Sequence, residues 1–221
     1  MLTRRLSNFV LRVLFKLLLK LEVLGLENVP LEGPLILMIN HVNFLDPVLA
    51  GGIMPREVVP LSKAELFRHP ILGILVRLYG ALPVRRGKVD RWALRRSLEV
   101  LRRGEALLMA PEGTRSHVPG LQRGRNGMAY IAVRAESPIL PVAIVGGDKF
   151  FYNLKRLRRT PIKVIIGKPF RFSSGEGRVK RERLRKLTEE AMYQLAALLP
   201  PEYRGVYSDL SSASTSFLVF E

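Results

Sequence analysis

The 221-residue chain contains no cysteine, a single tryptophan and only three histidines. The missing cysteine removes disulfides, thiolate nucleophiles, thiolate metal ligands and covalent thioester intermediates from the available chemistry. Histidines scattered at positions 41, 69 and 117, with no cysteine beside them, give no ligand set for zinc, so no metal site is expected. Acidic side chains are scarce too: 19 Asp and Glu face 36 Lys and Arg, a formal net charge of +17. Such an excess draws polyanions, whether nucleic acid, anionic lipid or phosphorylated substrate. An uninterrupted apolar run long enough to span a membrane is missing at the N-terminus, where charges recur every four residues. No small-residue cleavage site follows it, which argues against a secretory signal.

With 48% hydrophobic and 25% charged residues, the composition is that of a globular chain able to bury a core without disulfides. Leu6, Phe9, Val10, Val13, Leu14, Leu17, Leu18 and Leu21 recur at helical spacing, and Arg5, Arg12, Lys16 and Lys20 fall opposite them. This predicts an amphipathic helix over residues 1–24, lying in a membrane interface or packed on the rest of the protein. A main domain is expected over 25–200 and a weakly patterned tail over 201–221.

Within the main domain, short apolar runs at Leu35–Ile39, Val58–Leu61, Ala106–Ala110, Pro138–Val145 and Lys163–Ile166 read as strands; ahead of them Glu22–Leu26 also reads as a short strand, and Ala81–Val84 as extended. Helical patterns fall between and after them: one opened by Asp46-Pro47, others over Pro70–Tyr79, after Asp90, over Met128–Ala135 and over Arg181–Leu199. The alternation predicts an α/β fold, a single mixed or mostly parallel sheet flanked by helices.

The first strand of the five ends in N-H-V-N-F-L-D, which delivers His41 to the carboxyl end of a strand, a favoured place for chemistry in such folds. Asp46, five residues on, can hold one ring nitrogen protonated so that the other stays a base. A helix cap would equally explain Asp46. The strand at 106–110 runs into P-E-G-T-R-S, whose Glu112, Gly113, Thr114 and Arg115 put a carboxylate, a permissive glycine, a hydroxyl and a guanidinium in one loop. Arg115 can take phosphate through two parallel hydrogen bonds; a solvated turn is the plainer alternative.

In order along the chain, N-H-V-N-F-L-D, Y-G-A-L-P-V-R-R-G, P-E-G-T-R-S and I-L-P-V-A-I resemble the four blocks of the lysophosphatidic acid acyltransferase family, and K-A-E-L at Lys63–Leu66 is similar to a further element. The resemblance covers roughly residues 20–170. It implies a glycerol-3-phosphate acyltransferase-like fold and direct transfer of a fatty acyl group from acyl-CoA or acyl carrier protein to lysophosphatidic acid, without cofactor or acyl-enzyme. His41 would be the general base and Asp46 its orienting partner. Arg86 and Arg115 would hold the acceptor phosphate, Glu112, Gly113 and Thr114 the glycerol part, Lys63 would join the substrate site, and Pro141 would shape a nearby strand end. Many members carry an F-K-K-G pattern after the third block, where this chain has Arg123-Gly124-Arg125-Asn126-Gly127; Arg125 would stand for the lysine or be a solvated charge. His69 and His117 match no family position and read as loop residues. The expected location is monotopic, on the cytoplasmic face of the cell membrane, with an anionic membrane surface as partner.

Two other readings are open to the sequence. One is transfer to another lysolipid, such as a lyso-ornithine lipid. The other is a basic nucleic-acid-binding protein, which would explain the charge but lacks a ribonucleoprotein motif, zinc finger or helix-turn-helix.

Overall fold

A computed structural model describes residues 2–87, 89–116, 120–173 and 180–221; His117 lies outside them. Its frame is a mixed sheet of β1 (Leu19–Leu24), β2 (Leu35–Ile39), β3 (Val58–Lys63), β4 (Leu82–Val84), β5 (Ala106–Met109), β6 (Ile139–Val145), β7 (Thr160–Ile166), β8 (Phe170–Phe172) and β9 (Leu218–Phe220). The order is β1-β7-β6-β2-β5-β3-β4, with β8 on β6 and β9 on β8. β2 runs parallel to both neighbours, β5 and β6, while β7 and β8 run antiparallel to β6. The expected mixed sheet flanked by helices is therefore what forms.

β2 sits at the centre and its five side chains have no exposed surface. Ile36 and Met38 face one core layer with α4 (Arg91–Arg102), α5 (Gly127–Ala135) and α7 (Arg181–Leu198); Leu35, Leu37 and Ile39 face the other, with α1 (Leu2–Leu18) and α2 (Asp46–Ile53). Burial on both faces is why this strand reads as an unbroken apolar run rather than an alternation.

The N-terminal helix stops at Leu18, six residues short of the expected Leu24. The strand expected at Glu22–Leu26 begins three residues earlier, as β1 over Leu19–Leu24, in parallel register with β7 from Leu19↔Thr160 to Leu24↔Ile165. Leucine at helical spacing continues through the boundary, so the decision falls to a ladder with a partner about 140 residues away. The polar face is also corrected at Arg12, whose guanidinium turns inward to the carbonyls of Gly52 (3.1 Å) and Met54 (3.2 Å). Leu11, Phe15 and Leu18 pack on the protein, while Val10, Val13, Leu14 and Leu17 face water, so α1 is apolar on two sides. α2 lies between α1 and α3 (Leu72–Leu78): a Cβ at Gly52 would meet the Phe15 ring and one at Gly51 the Tyr79 hydroxyl. α3 is shorter than expected, and the ring Nδ1 of His69 accepts the amides of Ile71 and Leu72 at its start.

Residues 201–221 are folded onto the domain. Tyr207 is buried edge-on against Tyr193 of α7, and the buried Glu190 carboxylate gathers the Ser214 hydroxyl and the amides of Ser216 and Phe217.

Candidate active site

The end of β2 is fixed by Asn40, whose side-chain amide donates to the Ile144 carbonyl and accepts its amide, both at 2.8 Å. It continues the ladder to β6 by one side-chain step. His41 follows, 7% exposed, with its backbone amide on Glu112 Oε1 (3.2 Å) and its carbonyl accepting from Ser116 (2.8 Å).

The Asp46 carboxylate turns back from the first turn of α2. Its Oδ2 accepts the amides of Val42 (2.7 Å) and Asn43 (2.6 Å) and stands 3.4 Å from His41 Nδ1. That ring distance is long for a hydrogen bond, as catalytic contacts often are before substrate binds. Asp46 does not cap its own helix by side chain; the cap reading is corrected, because the carboxylate is spent on the preceding loop. Asn43 closes the turn instead, accepting the Asp46 amide on its carbonyl and the Leu45 amide on Oδ1, and its Nδ2 reaches Gly147 O at 2.7 Å. With Nδ1 facing the carboxylate, Nε2 is the nitrogen left for a proton from a ligand.

Glu112 is 3% exposed, and its two oxygens take the amides of His41 and Gln122. Burial pushes its carboxyl up to about 7, against the pull of those two amides; the Asp46 charge adds a smaller push upward. Its position is that of a brace between the His41 loop and the loop after Gly120. Gly113 has φ 71°, and a Cβ there would collide with the Arg125 side chain, whose Nε donates to the Glu112 carbonyl. Arg125 is thereby laid across the third motif, a placement its spacing alone did not give.

A cavity of about 850 Å³ opens beside His41. Its rim carries Arg85, Arg86, Gly113 and Arg125; Leu61, Val84, Leu94, Leu108, Met128 and Ile131 make its walls apolar. Arg86 has its pKa lowered, first by burial, then by the like charge of Arg115 and, more weakly, of Arg125, while Glu65 opposes the shift. Arg86 thus feels the like charge of two further guanidinium groups. Asp90, the N-cap of α4, accepts the Ala93 amide and also the Arg85 amide (2.9 Å), which anchors the arginine loop.

The structure brings His41, Asp46, Glu112, Gly113, Arg86 and Arg115 to one region, and Thr114 is partly buried in the loop that carries Glu112 and Arg115. Lys63 has its ammonium 3.7 Å from Glu65, and neither Lys63 nor Arg115 is among the residues that line the cavity. Pro141 is buried in β6 opposite Met38. Sequence reasoning gave no role to Asn40, Asn43 or Gln122, and gave Asp90 only its helix cap, not its hold on the Arg85 amide. The two asparagines lay inside a quoted motif, but their partners, Ile144 and Gly147, are about a hundred residues away.

Fold and cavity place the chain among α/β enzymes. The Acyltransferase family matches residues 20–145, and the chain belongs to that family. It is 28% identical over 182 residues to the 1-acyl-sn-glycerol-3-phosphate acyltransferase of Bacillus subtilis, covering 81% of this chain and 88% of that protein. It is 33% identical over 141 residues to the lyso-ornithine lipid O-acyltransferase of Pseudomonas aeruginosa, 57% of this chain and 54% of that one. The crystal structure of the 1-acyl-sn-glycerophosphate (LPA) acyltransferase PlsC from Thermotoga maritima superposes with a TM-score of 0.64 at 28% identity, covering 85% of this chain and 76% of that chain. The resemblance read from the ordered motifs is met.

Proposed function

We propose that the protein is a 1-acyl-sn-glycerol-3-phosphate O-acyltransferase that moves a fatty acyl group from acyl-CoA or acyl carrier protein to the sn-2 hydroxyl of lysophosphatidic acid, forming phosphatidic acid. His41 Nε2 takes the hydroxyl proton as the oxygen attacks the thioester carbonyl. The new C–O bond forms, the C–S bond breaks, and the imidazolium returns its proton to the leaving thiolate. Asp46 keeps Nδ1 protonated and the ring oriented. No cofactor enters the cycle.

The observation that carries this reading is the junction of three chemistries within one site: a base at a strand end, an apolar cavity for a chain, and guanidinium groups crowded against their own repulsion. Like charge gathered in this way is relieved by a bound phosphate. The second reading, a lyso-ornithine lipid acceptor, is favoured by the identity to the Pseudomonas protein but leaves the Arg86, Arg115 and Arg125 cluster without a phosphate to bind.

We further propose that the enzyme is monotopic on an anionic membrane surface, at the cytoplasmic face. Among the described residues no helix is long and apolar enough to cross a membrane. Support for surface binding comes from the outer face of α1 and from α3, where Ile71, Ile74, Leu75 and Leu78 are 49–67% exposed. The test is an assay of the purified protein with lysophosphatidic acid, a lyso-ornithine lipid and a panel of acyl thioesters, with products identified by mass spectrometry. Phosphatidic acid is the expected product; acylation of the lyso-ornithine lipid alone would overturn the assignment.

A further inference from the structure

The stretch Lys149–Arg159, K-F-F-Y-N-L-K-R-L-R-R, carries five cations and no acid. It holds the short helix α6 (Phe150–Leu154) and the turn leading to β7. Phe150 is its one buried anchor, edge-on to Phe151. Outside that anchor the apolar groups face water: Phe151 is 51% exposed, Tyr152 58% and Leu157 95%. Arg156 stacks 3.7 Å over the Tyr152 ring. Lys149, Lys155 and Arg158 have no ion-pair partner among the described residues.

Leu157 stands out because its φ of 53° puts a branched side chain in the left-handed region, a conformation that costs a leucine and suits asparagine or glycine. The Leu157 amide donates to the Leu154 carbonyl and the Arg158 amide to the Asn153 carbonyl, so the left-handed turn closes α6 while the leucine side chain itself is left in water. Its ends place the stretch. At one end Gly147 is held by Asn43 of the catalytic loop. At the other, Arg159 donates twice to the carbonyl of Leu19, where α1 passes into β1. The stretch therefore runs from beside the His41 loop to the junction of α1 with β1.

We propose that residues 149–159 are a second membrane-docking element, in which Leu157, Phe151 and Tyr152 enter the head-group region of an anionic bilayer and Lys149, Lys155, Arg156 and Arg158 engage its lipid phosphates. Apolar burial and attraction to anionic lipid act together in such an element. It fixes the orientation of the site: α1 alone leaves the molecule free to roll about the helix axis, whereas a second contact where β1 and β7 begin, the end of the sheet at which β2 delivers His41, holds the His41 loop toward the lipid. This inference rests on the membrane-surface reading above.

The test is co-sedimentation with vesicles of phosphatidylcholine alone and of phosphatidylcholine with phosphatidylglycerol. Leu157→Asn is expected to weaken partition about tenfold on both vesicle types, while the thermal midpoint stays at or above that of the wild type because the left-handed position now suits its residue. The double variant Lys155→Ser/Arg158→Ser is expected to lose about fivefold per charge on the anionic vesicles alone. Turnover of monomeric, short-chain substrate should be unchanged in both. If both variants bind as the wild type does while Leu14→Asp/Leu17→Asp on α1 does not, the docking element is overturned and the membrane reading survives. Failure of the wild type to bind either vesicle overturns both. A discrete dimer in solution that Leu157→Asn dissociates, with vesicle binding unaffected, would assign the surface to a second copy of the chain and overturn the proposal.

Discussion

Two parts of the site are built on opposite terms. Around His41 the local polar groups are engaged within the protein: Asn40 with Ile144, Asn43 with Gly147, Asp46 with two amides and the ring, Glu112 with two more. At the cavity rim, burial and then the like charge of Arg115 lower the Arg86 pKa. In the proposed mechanism the base is set before substrate arrives, and the cation cluster is left for an anion to complete. Preorganising the reacting group while leaving the binding groups unsatisfied separates rate from affinity, and each side of that division can be tested.

The largest effect is expected from His41→Ala, with kcat falling about a thousandfold at every acceptor concentration and an unchanged circular dichroism spectrum. Near-normal turnover would end the general-base assignment. Arg115→Ala should act on the other side of the division, raising the lysophosphatidic acid KM about tenfold to thirtyfold with kcat nearly kept. Equal loss with a phosphate-free acceptor would show that the residue does not grip phosphate.

Glu112→Gln sharpens the contrast inside the braced half. One of the two amide bonds is lost, and kcat should drop about tenfold. The native carboxyl titrates near 7 when folded and near 4.5 when unfolded. The protonated form is therefore favoured by folding; its contribution is fully present below pH 4.5 and is lost as pH rises through about 7, on the order of 3 kcal/mol. Thermal midpoints measured from pH 4.5 to 8 should fall across that window in the wild type and flatten in the variant. The smallest effect is expected from Ser97→Leu. Ser97 is buried at the cavity wall with its hydroxyl on the Ala93 carbonyl, so a larger side chain should shift thioester preference to shorter acyl chains by a fewfold, read from competing donors by mass spectrometry.

Much of this site was legible because its residues sit in runs whose meaning is local. Five buried residues bounded by Gly33-Pro34 and Asn40 can only be a short strand, and its end positions His41. Asp90 as a helix cap was equally plain, since its partner Ala93 is three residues on. What sequence could not give was decided by distant partners. β1 is a strand rather than the end of a helix because β7 stands beside it. The Asp46 carboxylate faces backward because two amides and a ring wait there. The last twenty residues looked unpatterned because their order comes from Glu190, a carboxylate on α7, rather than from any periodicity of their own. The basic stretch at 149–159 carries its own signal, five cations among aromatics and leucines, but it lies outside every motif, and only its exposure in the fold gives that signal a meaning.

The folded tail has a practical consequence for anyone trimming or tagging this protein. Tyr203 O receives the Leu121 amide, Val206 donates to the Leu121 carbonyl, and the Tyr207 hydroxyl accepts from Gly124. That clamped loop supplies the Gln122 amide to Glu112, and Glu112 in turn holds the amide of His41. Truncation after residue 200 would leave α7 whole and still cut the tether whose far end is His41.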